Sequence, residues 1–148
     1  MREVTAAELW HMVNQRYPNI KDIELTDAAW ETFDDKLLNK VYDSFQSSMW
    51  RVKLTQWLKN KLDCDKWALL FVAHVIIRNA LGKDDKARAL GRLSYHINGD
   101  EKRAHMINVA VVDDGEGGLY LQEVEPQPKQ GQISLNKAER DSVWRVSF

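Results

Sequence analysis

The sequence predicts an α+β fold with a helical first half, a buried central helix and an antiparallel sheet in the second half. Three observations carry this. Helical spacing of apolar residues dominates up to Lys61, a nearly continuous apolar run fills Trp67 to Ile77, and alternating segments divided by turn residues follow from Ala89 onward.

The first helix is marked by Thr5-Ala6-Ala7-Glu8, a capping box with Thr5 at the N-cap and Glu8 three residues on. Leu9, Trp10, Val13 and Tyr17 follow at helical spacing, and Pro18 ends the run. A short extended piece, Ile20 to Leu25, leads to a second cap at Thr26 or Asp27. Trp30, Phe33, Leu37, Leu38, Val41, Tyr42 and Phe45 then describe an amphipathic helix, with a weak point at Asp34-Asp35. Ser47-Ser48 reads as a break, after which Trp50, Leu54, Trp57 and Leu58 share one side of a helix from Met49 to Lys61. In Cys64 to Leu81 the apolar residues cover nearly the whole circumference, which predicts a helix buried on all sides and ended by Gly82.

The second half predicts strands at Ala89–Ile97, Ala104–Val112 and Leu119–Glu125, with a last one at Ser142–Phe148. Asn98-Gly99 is a hairpin turn signal, Asp113 to Gly118 is a loop, and Pro126 and Pro128 end the third strand. We expect one domain over residues 1–148, with a helical part at 1–62 and the cysteine helix plus sheet at 63–148.

The composition narrows the function. A formal net charge of −1 argues against a protein built around nucleic acid, and Arg51, Lys53, Lys59 and Lys61 read as a solvated helix face. One cysteine allows no intrachain disulfide and suits a reducing compartment. The longest apolar stretch is 11 residues, interrupted by His74, against about 20 for a membrane span. The expected setting is cytoplasmic, without a membrane partner. No cofactor signature is present. Asp113, Asp114 and Glu116 form an acidic turn without the order of a calcium loop, so no metal is expected.

Chemistry converges on three places. Cys64 opens the apolar helix, where free backbone N–H groups and the helix dipole favour a thiolate. Asp63 and Asp65 beside it oppose that, so a nearby cation is required. His105 lies early in the second strand on the face of Ile107, Val109 and Val111. Glu125 and Gln127 end the third strand, which returns towards His105. A symmetric six-residue loop sets Pro126 opposite His105, whereas an odd loop puts Glu125 on its face.

These residues carry a resemblance. Asp63-Cys64-Asp65-x-Trp67-Ala68, then His105-x-x-Asn108-Val109, then Glu125-Pro126-Gln127 resembles a set of small bacterial and phage proteins. They are similar to the papain-like C-terminal domain of a fungal agglutinin that is also a protease. The resemblance implies a papain-like fold with Cys64 as nucleophile, His105 as base and Glu125 as the group orienting His105. It gives Asn108 and Gln127 supporting, structural roles. Lys66 departs from the pattern, which often has an acidic residue there. The residues up to Asn60 match nothing in it.

The function this implies is a thiol protease or related cysteine hydrolase, of peptidase or amidase type, acting on a protein or peptide. Gln56 and Asn60 are the amides available to hold an oxyanion with the Cys64 N–H. The alternative is a non-enzymatic interaction module of phage or bacterial origin on the same framework, binding a host protein.

Overall fold

A computed structural model describes residues 2–83 and 86–148 and has the α+β architecture expected. In chain order its elements are β1 (Glu3–Thr5), α1 (Ala6–Arg16), β2 (Asp22–Glu24), β3 (Ala29–Glu31), α2 (Asp35–Arg51), α3 (Cys64–Ala80), β4 (Leu90–His96), β5 (Ala104–Asp113), β6 (Leu119–Glu125), β7 (Gly131–Ile133), α4 (Lys137–Ser142) and β8 (Arg145–Ser147). β1 and β3 form a two-stranded sheet; the other six strands run in the order β2-β8-β4-β5-β6-β7. All pairs of the large sheet are antiparallel except β2 with β8, which is parallel.

β5 divides two cores. Ile107, Val109 and Val111 join Leu9, Val13, Tyr17 and Leu93 in one. Ala110 and Val112 join Phe45, Trp67 and Phe71 of α2 and α3 in the other. This alternation is what a strand covered on both faces requires.

Several local expectations are corrected. The first half is not wholly helical, because Trp30 lies in β3, paired with Val4 of β1, and Phe33 hydrogen-bonds through its backbone to Val111. The helix starts only at Asp34, whose carboxylate accepts from Leu37 N–H at 2.6 Å. Ser47-Ser48 does not break it, since Ser48 Oγ donates back to Ser44 C=O at 3.1 Å and so stays satisfied within the helix. The helix instead ends at Arg51. Residues 52–62 are not helical, and Lys53 (φ 61°) and Asn60 (φ 62°) sit in the left-handed region that stops helix propagation. β7 and α4 fall where no element is predicted, being too short to show a period.

The largest correction concerns α3. It buries Trp67, Ala68, Phe71 and Val75, but Leu69, Ile76 and Ile77 are half or more exposed. Only one face meets the sheet and α2, so an apolar circumference here does not mean burial all round.

α3 is tied to the sheet by Asn108. Its amide, wholly buried, donates to Ala68 C=O of α3 and Gly91 C=O of β4, both at 3.0 Å. Gly91 is itself constrained, because a Cβ there would lie 2.3 Å from Ser147 C=O. Asn108→Ala leaves two buried carbonyls without their donor, and we expect a loss of about 1–3 kcal/mol in urea unfolding.

A thiol, an imidazole and a carboxylate at the end of the sheet

Cys64 is the first residue of α3, with Asp63 at the N-cap. Asp63 makes no side-chain cap; its carboxylate instead takes Lys66 Nζ at 2.8 Å, and Lys66 lies 3.8 Å from Asp65. Asp63 is thereby held down at about 2, chiefly by hydrogen bonding with Asp65 and then by Lys66. Lys66, the residue that departs from the motif, thus pairs with both acidic flanks of Cys64.

His105 and Glu125 meet across the β5–β6 pair. Asn108 faces Val124 and Asp113 faces Leu119, so the connecting loop is the five residues 114–118. Continuing that register sets Glu125 opposite Ile107, on the face of His105. This is the odd loop that the same-face arrangement needs. His105 Nε2 and Glu125 Oε2 are 2.6 Å apart, both side chains largely buried. Gln127 N–H donates to the other oxygen, Glu125 Oε1, at 3.3 Å. Tyr95, opposite His105 on β4, packs its ring edge-on against the imidazole at 5.7 Å.

With Nε2 committed to Glu125, Nδ1 is the ring nitrogen left for the thiol. A hydrogen bond from His105 is the largest influence on Cys64 and lowers its pKa. Burial works against it, and the Met106 backbone adds to it. Burial pulls His105 down, but hydrogen bonds with Cys64 and Glu125 outweigh that and raise it to about 9. Both shifts run in one direction, towards a thiolate beside an imidazolium. Such a shift favours the nucleophilic form of the thiol and keeps a proton on the neighbouring ring.

The remaining predicted residues divide cleanly. Asn108 lies behind the site and ties α3 to the strands, as described. Gln127 contributes its backbone: N–H to Glu125, and C=O to Tyr42 Oη at 2.8 Å. Gln56 and Asn60 are exposed on the non-helical 52–62 segment, not on a helix leading into Cys64, so the geometry that made them oxyanion donors is absent. His11 is exposed, while His74 packs on Phe45 at 5.6 Å. The aspartates of the acidic turn are held by backbone N–H groups: Asp113 accepts from Gly115 and from Arg2, and Asp114 from Glu116 and Gly118.

Sequence reasoning missed the anchor of the 126–130 turn. Gln46 Nε2 donates to Pro126 C=O at 2.6 Å, and Tyr42 Oη accepts from Gln130 N–H at 3.1 Å. Gln46 and Tyr42 stand one helical turn apart on α2, a signal that was present but had no partner to point to.

No protein-family model matches the chain, and no curated protein matches it either. Solved structures do, and two of them match over 99% of this chain. One is a PSL1a–E64 complex, with a TM-score of 0.74 and 18% identity. The other is a Polyporus squamosus lectin bound to the human-type influenza-binding epitope Neu5Aca2-6Galb1-4GlcNAc, with a TM-score of 0.73 and 17% identity. This chain has the fold of about half of such a chain. It covers 51% and 49% of their lengths, so what those proteins bind belongs to molecules about twice as long.

The comparison corrects the expectation drawn from the motifs. The matching structures are those of a lectin, not of a small bacterial or phage cysteine-hydrolase family, and no family model supports the papain-like assignment. The thiol-protease and phage readings, and peptidase or amidase activity with them, give way to the interaction-module alternative. Among the described residues, no helix is long and apolar enough to cross a membrane.

Proposed function

We propose that this chain is an interaction module that holds a protein partner at an activated thiol. Cys64 is the nucleophile, His105 keeps it ionised and carries the proton, and Glu125 orients His105. The observation that carries this is the 2.6 Å contact between His105 and Glu125, which leaves the other ring nitrogen free, together with the lowering of the Cys64 thiol by His105. The likeness to lectin chains supports binding as the task. The 148 residues act as one unit, with both cores built on one sheet, in a reducing compartment where a lone thiol persists.

The chemistry this geometry supports is addition. The thiolate adds to an electrophilic carbon, an S–C bond forms as that carbon's π bond opens, and His105 gives its proton to the atom that receives the electron pair. No leaving group and no external base are needed.

Acrylamide tests this, because it reacts by that addition. Intact mass spectrometry at about pH 6 should show a single adduct on the wild type, forming faster than on glutathione, and none on Cys64→Ser. Sustained release of product from a set of fluorogenic peptide amides, beyond one equivalent of protein, overturns the interaction-module reading. An adduct that forms only after denaturation overturns the activated thiol.

A further inference from the structure

We infer that the partner docks in the hollow between the end of α2 and the 126–130 turn, and that it presents a peptide segment combining acidic and apolar side chains. This rests on the thiol reading, because it places the partner beside the same centre.

The hollow encloses about 740 Å³ and is lined by Met49, Trp50, Leu54 and Pro128, with Arg51 and Lys129 among them. Its floor is apolar, and Trp50 is 72% exposed, a large ring left without a protein partner. The charge lining it has one sign, from Arg51 and Lys129. From Ser44 to Leu62 and from Pro126 to Gly131 the sequence contains no Asp or Glu. Arg51, Lys53, Lys59, Lys61 and Lys129 form no ion pair among the described residues. Two of the five, Arg51 and Lys129, line the hollow itself, and all five lie in stretches of sequence free of acidic residues, on a chain of net charge −1. The first four lie on the end of α2 and the irregular segment after it, not on the solvated helix face that the sequence suggests.

The hollow is linked to the thiol centre through the 126–130 turn. Its wall residue Pro128 belongs to the turn whose Gln127 N–H holds Glu125, and Gln46, also in the wall, fixes that turn through Pro126. Phe45 of α2 packs edge-on against Trp67 at 6.0 Å, one turn along α3 from Cys64. The C-terminal half of α2 therefore packs on the N-terminal half of α3.

An acidic and apolar peptide fits both properties at once. Its aliphatic or aromatic side chains cover Trp50 and Leu54, and its carboxylates meet unpaired cations. A long polyanion fits less well. Beyond a Debye length of about 8 Å its further charges would gain nothing from Arg51 and Lys129, on a chain whose net charge is −1.

Fluorescence anisotropy with two fluorescein-labelled octapeptides tests this, one alternating Glu and Leu, the other Lys and Leu. The Glu/Leu peptide should bind about tenfold more tightly or better at low salt, and its advantage should shrink at high salt. Arg51→Glu with Lys129→Glu should remove the preference, and Trp50→Ala should weaken the Glu/Leu peptide at either salt. Equal binding of the two peptides overturns the inference. So does tighter binding of an oligothymidylate of equal length, or of phosphatidylserine vesicles. Thiol labelling without peptide reports separately on the centre itself. A slow thiol with intact charge preference therefore counts against the thiol reading alone, and a fast thiol without that preference counts against the docking site alone.

Discussion

Replacing His105 by Ala should slow alkylation of Cys64 by iodoacetamide about tenfold or more near pH 6, with the fold retained by circular dichroism. The imidazole's hydrogen bond is the leading influence lowering the thiol, so its removal leaves burial, which raises it. Cys64 is the only thiol, and labelling of the whole protein reports on it directly. Glu125→Gln should have a smaller effect, because the ring stays but loses the carboxylate that sets its orientation. An unchanged rate in His105→Ala would mean that the thiol is activated by the helix terminus alone, or not at all.

The largest loss of stability should come from Glu123→Ala. Glu123 is wholly buried and accepts two hydrogen bonds from Arg16, at 2.7 and 2.8 Å, and one from Tyr17 Oη at 2.8 Å. The pair joins α1 to β6. Arg16 is raised above its ordinary range by this hydrogen bonding, and Tyr17 is raised by burial and by the neighbouring carboxylate. Removing the acid strands a half-buried guanidinium and a buried hydroxyl, for a cost of about 3–5 kcal/mol in urea unfolding. Glu123→Gln should cost less, because it keeps an acceptor for Tyr17. A loss below about 1 kcal/mol for the Ala variant would show that water replaces the carboxylate.

The pattern of the second half was legible because its strands are bounded by strong turn signals. Asn98 and Gly99 do adopt positive φ, and the ends predicted for β5 and β6 fall within one residue of those observed. The first half misled where apolar spacing had no partner. Trp50, Leu54 and Trp57 repeat like a buried helix face, yet they lie exposed around the end of α2 and the irregular segment beyond it. Leu69, Ile76 and Ile77 on α3 are the same case, since a period records which residues could be buried together, not whether anything covers them. The site was legible in part. Motif order brought Cys64, His105 and Glu125 to notice, but the choice of face depended on a single residue of loop length, which periodicity does not fix. Lys66 was visible as a departure, and only its position over Asp63 and Asp65 explains it. The hydrolase reading came from a motif likeness, and the comparison with lectin chains displaced it.

The pair also predicts a pH dependence of stability. The folded pKa of His105 lies above the unfolded value of about 6.5, so its contribution is complete below that pH and is lost as pH rises through about 9. The difference in stability between wild type and His105→Ala should shrink over that interval.

The most direct test of the thiolate–imidazolium pair is a ¹⁵N NMR titration of His105 in the intact protein. The account predicts that the ring stays doubly protonated through neutral pH and titrates at about 9, and that its pKa falls once Cys64 is alkylated. A midpoint near the ordinary histidine value of about 6.5, unmoved by alkylation, would contradict it.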